Sequence, residues 1–152
     1  MDNKFLDILL ETKELKNSLY SILKHRFLYN SNKIEGSTFT TEALALLLDK
    51  NVVTGKHTLD DVQETLDDIV EFHYRFELIH PFQDRNGRIG RFLMLKQMIE
   101  NNLPIKIVSW DTEDLYRNSL KLSSIGNYSP LSTYLKTLPD FREEYKEFWE
   151  NV

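Results

Sequence analysis

No cysteine occurs anywhere in the chain, which excludes a disulfide framework, a thiolate metal site and a cysteine nucleophile, and fits a reducing compartment. Positive charge is also in short supply: 19 Lys and Arg stand against 24 Asp and Glu, a net charge of -5. That balance opposes broad attraction to nucleic acid or to an anionic membrane, so neither is expected as a partner, while a local basic cluster can still bind a small anion. Long apolar runs are missing too. The longest clean one, Ala43 to Leu48, is far too short to span a bilayer, and the first residues, MDNKFLDILLETKEL, carry charges throughout. The expectation is a soluble, cytoplasmic protein without an export signal. Repeats, low-complexity tracts and linkers are likewise lacking, which leaves one domain over residues 1–152.

What is present is a sizeable core: 41% of the residues are hydrophobic and 12% aromatic. Their spacing is helical nearly throughout. Phe5, Ile8, Leu9, Leu15, Leu19, Ile22 and Leu23 predict one amphipathic helix over the first two dozen residues, with a break at Tyr29-Asn30-Ser31. Asn30 or Ser31 can then cap a short helical turn, about residues 30–36, that reaches Glu35 and ends at Gly36. Thr40 or Thr41 caps a helix through Leu48, and Asn51 to His57 reads as a loop or brief extended piece. Thr58 opens a long helix with the stripe Leu59, Val62, Leu66, Ile69, Val70, His73 and Phe76. After Gly87, the segment Arg88 to Ile99 is apolar on nearly every side and predicts a buried central helix. Further helices start near Asp111 or Thr112, at Ser129-Pro130, and after Pro139 with Phe141, Tyr145, Phe148 and Trp149. The fold class is all-α.

The positive charge that exists is concentrated in HPFQDRNGRIGR, His80 to Arg91. An Asn86-Gly87 turn before a helix leaves the first N–H groups of that helix as anion donors, reinforced by the helix dipole. Arg88 and Arg91, at i and i+3, can grip further phosphate oxygens from one side of the helix. Asp84 is a hard oxygen ligand suited to Mg²⁺, which combines one or two carboxylates with substrate phosphates and water. His80 has the ordinary pKa for a base near neutrality. Base, metal ligand and anion cradle together describe nucleotidyl or phosphoryl transfer. Each residue also has an ordinary structural role open to it: Phe82 reads as a core anchor, an Asn-Gly pair alone marks any turn, and the weight lies on the ordered combination.

His80, Phe82, Asp84, Asn86, Gly87, Arg88 and Arg91 resemble the signature HxFx(D/E)GNGRxxR of the Fic domain family. The resemblance implies an all-α bundle around the motif helix and transfer of AMP from ATP to a Tyr, Ser or Thr hydroxyl of a target protein, or of the chain itself, with release of pyrophosphate. It implies His80 as general base and Asp84 as the Mg²⁺ ligand. It likewise implies that Asn86 and Gly87 form part of the α- and β-phosphate cradle and that Arg88 and Arg91 contact the β- and γ-phosphates. Arg85 departs from the pattern, standing where the family usually has Gly; it either crowds the phosphates, adds a charged contact to them, or points to solvent. Relatives that move phosphate or phosphocholine differ around the Asn-Gly-Arg core that this chain keeps. A nucleotide-binding module with little turnover is the non-enzymatic alternative.

SNKIEG, Ser31 to Gly36, resembles the family's inhibitory motif (S/T)xxxE(G/N). The resemblance makes Ser31, Glu35 and Gly36 an autoinhibitory element in which Glu35 pairs with Arg91 and takes the place of the γ-phosphate. In some members the same Glu supports removal of AMP, so a bifunctional enzyme is a variant of this reading. Family members also carry a β-hairpin flap before the signature. The stretch from Gly36 to His80 is short, and predicts a flap that is reduced or absent. Pairing into homo-oligomers is common in the family, and no patch in this sequence marks it.

Overall fold

A computed structural model describes residues 3–35, 65–79 and 86–151. Helix α1, Lys4–Glu11, is capped by Asn3, whose side-chain oxygen accepts from Leu6 N at 3.1 Å. The amide nitrogen of the same side chain donates to the Ile99 carbonyl at 2.6 Å, so one residue both starts α1 and ties it to the centre of the molecule. The single helix expected through Leu23 is instead broken. Thr12 turns its hydroxyl back onto the Ile8 carbonyl at 2.8 Å, and Asn17 takes a positive φ of 56°, a conformation that Asn tolerates. Ser18 then receives Ser21 N on its hydroxyl at 3.2 Å and opens α2, Leu19–Glu35.

The break expected at Tyr29-Asn30-Ser31 does not occur: α2 runs through it. Asn30 fits within the helix: its amide donates back to the Arg26 carbonyl one turn earlier at 2.9 Å, and its oxygen accepts from Trp110 N at 3.0 Å, while Ser31 is buried. The separate short turn expected at about 30–36 is therefore the last part of a 17-residue helix that packs through Leu19, Leu23, Phe27 and Ile34.

Helix α3, Leu66–Ile79, begins behind a reciprocal cap in which Thr65 N donates to the Asp68 carboxylate at 2.9 Å and Asp68 N to the Thr65 hydroxyl at 3.2 Å. That start is later than the Thr58 expected. The readings made for residues 36–64, including the helix to Leu48 and the flap, lie outside the described residues. Helix α4, Asn86–Glu100, packs most extensively on α3 and also meets α2 and α1. Phe92, Met94, Leu95, Met98 and Ile99 are buried, which bears out a central, nearly all-round apolar helix. It ends where Asn102, at φ 57°, lets Leu103 N reach back to the Met98 carbonyl at 3.0 Å.

An extended strap carries Ile105 and Val108 under the core to a short 3₁₀ turn, Trp110–Thr112. Helices α5, Glu113–Leu122, and α6, Ser129–Thr137, pack on each other, and α6 starts at the Ser129-Pro130 pair as expected, with Tyr128 in the cap position. The closing helix is shorter than the sequence predicts. Helix α7 covers only Phe141–Glu144, and a 3₁₀ turn at Lys146–Phe148 lets the Trp149 indole donate to the Arg142 carbonyl at 3.0 Å. No strand occurs among the described residues, and the elements share one core.

Candidate functional site

Asn86 and Gly87, expected to precede the motif helix, are its first two residues. The unsatisfied N–H groups of the first turn therefore belong to the Asn-Gly-Arg segment itself. Arg88 and Arg91 follow on the same helix, and both are buried, at 3% exposure each. A guanidinium so deeply covered requires hydrogen-bonding partners. The Nε of Arg91 donates to the Ser31 hydroxyl at 3.1 Å, a contact that joins the signature to the SNKIEG segment across 60 positions of sequence. Ser31 is itself only 2% exposed. The backbone of Glu35 closes α2 one turn further on. His80, Asp84 and Arg85, together with Phe82 and Gly36, lie outside the described residues.

Behind Arg91 sits a polar network that the sequence reading did not assign to the site. The Arg91 guanidinium carbon lies 5.9 Å from the centre of the Tyr116 ring. The Tyr116 hydroxyl is 2.8 Å from His73 Nε2, and His73 Nδ1 is 3.2 Å from the Gly90 carbonyl oxygen. A carbonyl only accepts, so Nδ1 carries the proton and donates to Gly90, and Nε2 accepts from the phenol. Burial, aided by the charge of Arg91 and opposed by the Gly90 hydrogen bond, lowers the His73 pKa to about 3 and keeps the ring neutral. Burial likewise pushes the Tyr116 phenol up; the nearby Glu77 carboxylate adds to this, and Arg91 opposes it.

Gly90 faces α3 at close range: a Cβ there would meet the side chains of Glu77 and Phe76, which would have to shift to admit it. The sequence did hold one signal. His73 lies in an otherwise apolar stripe, and a histidine on a core face demands a polar partner. Nothing in the sequence tells which residue supplies it.

The Fic/DOC family matches residues 13–98, more than half of the chain. The chain belongs to the Fic/DOC family. Over 63 residues, or 41% of its length, this Fic chain is 35% identical to "Protein adenylyltransferase fic-1" of Caenorhabditis elegans, covering 12% of that protein. It is 42% identical to "Probable protein adenylyltransferase aq_aa38" of Aquifex aeolicus over 53 residues, 35% of this chain and 15% of that one. It is 33% identical to "Protein adenylyltransferase Fic" of Drosophila melanogaster over 63 residues, with 41% and 13% covered. The similarity thus spans a small part of each relative. Within the Fic chain, Ser31, His73, Gly90 and Arg91 fall inside the family match, and Tyr116 falls beyond it. Among the described residues no three or more His, Asp or Glu side chains form a metal-holding group, and no helix is long and apolar enough to cross a membrane.

Proposed function

We propose that this Fic chain transfers AMP from ATP to a Tyr, Ser or Thr hydroxyl of a protein, its own chain included, and that the SNKIEG segment restrains the reaction. The observation that carries the reading is the buried Ser31–Arg91 hydrogen bond, because it puts the two motifs in contact at a residue that the signature resemblance assigns to the triphosphate. The adenylyltransferase names of the relatives point the same way. In the proposed reaction the hydroxyl oxygen attacks the α-phosphorus, its proton passes to His80, and the bond to the bridging oxygen breaks to release pyrophosphate. The first-turn N–H groups and Arg88 and Arg91 hold the phosphates, so rate enhancement rests on placement and charge stabilisation. The donor set fits Mg²⁺, since one hard carboxylate, Asp84, is what that ion takes from a protein when phosphates and water complete its shell. Mg²⁺ there would supply charge neutralisation on the phosphate oxygens. Glu35 opposes the γ-phosphate by occupying Arg91.

Incubating wild type, Glu35→Gly and His80→Ala proteins with ATP and Mg²⁺ and weighing them intact tests this. The expected result is an AMP adduct that increases in Glu35→Gly and is lost in His80→Ala. An adduct that persists in His80→Ala, or that is equal in wild type and Glu35→Gly, overturns the assignment of base or of brake respectively. Arg85 favours a second reading, a nucleotide-binding module without turnover, because it puts a side chain where the family turn has none. Under that reading every protein binds ATP and none forms a His80-dependent adduct.

A further inference from the structure

We propose that Tyr116 and His73 are positioning residues for Arg91: a buried chain from the Gly90 carbonyl through the imidazole to the phenol fixes where the Arg91 guanidinium is presented to a triphosphate. The inference rests on the reading of Arg91 as a phosphate contact and names what holds it in place.

An arginine side chain is long and rotamer-rich, and one that is ordered before its ligand arrives loses less freedom on binding. Ser31 takes the Nε hydrogen at 3.1 Å, and the Tyr116 ring lies 5.9 Å from the guanidinium carbon. The Nη edge of a guanidinium fork is the part suited to paired phosphate oxygens. Tyr116 is fixed in turn. It is 1% exposed, its ring packs 5.8 Å from that of Tyr134, and its hydroxyl is anchored on His73. His73 is fully buried and anchored on the carbonyl of Gly90, the residue before Arg91. The chain of contacts thus leaves α4 at residue 90, passes through α3 and α5, and returns to α4 at residue 91. The guanidinium is referenced to its own backbone through two other helices.

The imidazole must be neutral for this to work. A proton on Nε2 would reverse this hydrogen bond, making the phenol oxygen the acceptor, and would place a positive charge beside Arg91. The low pKa of His73 agrees with that requirement. Tyr116 comes from a helix beyond the region that matches the family, so the C-terminal part of the chain reaches into the site through it.

The test is made in the 152-residue chain carrying Glu35→Gly, with Tyr116→Phe and with His73→Leu/Tyr116→Phe. Binding of α,β-methylene-ATP, which cannot be cleaved at the reacting bond, is measured by titration calorimetry beside the melting temperature. Tyr116→Phe leaves the His73 acceptor buried without its donor, whereas the double variant removes both polar groups and is expected to melt closer to the parent. Both variants should bind the analogue about tenfold more weakly, and the ATP KM for self-modification should rise by about as much, with kcat within about threefold. Binding within about twofold of the parent in both variants overturns the proposal. So does a loss of affinity that disappears in the double variant together with the loss of melting temperature, since that marks a purely structural effect. A parent that binds the analogue but forms no adduct refutes the transfer reading alone, and the binding comparison still decides on Tyr116. A parent that binds no analogue refutes the nucleotide reading and this proposal with it.

Discussion

At the scale of the residue, His73 carries a cost that can be measured. An unfolded chain protonates a histidine at an ordinary pKa near 6.5, while the folded protein holds His73 neutral down to about 3. Below pH 6.5 the unfolded state therefore binds a proton that the folded state refuses, and stability falls as pH falls through that window. The contribution is complete above pH 6.5 and is lost progressively toward pH 3. We expect the urea midpoint of wild type to drop more steeply between pH 7 and pH 5 than that of His73→Gln, with the carboxylates common to both acting as the background. Equal slopes would show that His73 titrates normally and that its burial is not what the structure gives. The residue also shows where sequence reading reaches its limit. Its place in the stripe from Leu59 to Phe76 marks it as core-facing, but its partners Tyr116 and the Gly90 carbonyl lie on other helices, and nothing local encodes that meeting.

At the scale of the element, polar side chains decide where helices stop, and their partners decide whether they do. Asn3 and Asn30 illustrate the two outcomes. Asn3 spends its oxygen on Leu6 N and its amide on the Ile99 carbonyl, so it both starts α1 and fastens it to the end of α4. Asn3→Ala should destabilise the protein by about 2 kcal/mol, a cap's worth plus part of a buried hydrogen bond, read from urea unfolding. A loss below about 0.5 kcal/mol would mean that α1 is held by Phe5 and Leu9 alone. Asn30 looks like the same kind of residue in sequence, yet α2 passes through it because Trp110 N takes its oxygen. Helical period was legible for α2, α3 and α4, since apolar spacing carries it. The breaks were not, since a break depends on whether a distant backbone group arrives to satisfy the side chain. For the candidate site this matters directly: the Ser31 segment is continuous with a core-packed helix, so it is supported by Leu23, Phe27 and Ile34 rather than standing as a free turn.

At the scale of the whole molecule, the family match ends at residue 98 but the core does not. Phe5 and Leu9 come from before the match, and Ile105, Tyr116, Leu131, Leu135 and Phe141 from after it, all of them 1% exposed or less. Phe141 packs edge-on against Phe5 with ring centres 6.4 Å apart, and its N–H donates to the Ile105 carbonyl at 2.9 Å, which closes the C-terminal part over the N-terminal helix. The signature and its all-α setting were legible because they are compact in sequence, whereas this closure joins residues far apart and left no local mark. Burying one large apolar side chain is worth about 1.5–3 kcal/mol, against a net stability of about 5–15 kcal/mol for a domain. Loss of this group therefore exceeds what the fold can spare. A fragment of residues 13–98, though it contains the whole family match, should show helical far-ultraviolet signal without a cooperative thermal transition or fixed aromatic environment, and should bind a hydrophobic dye. The full chain should unfold in one transition. A fragment that melts cooperatively would mean that the matched region folds by itself and that the C-terminal helices, Tyr116 among them, are an addition to the site and not a part of the scaffold that holds it.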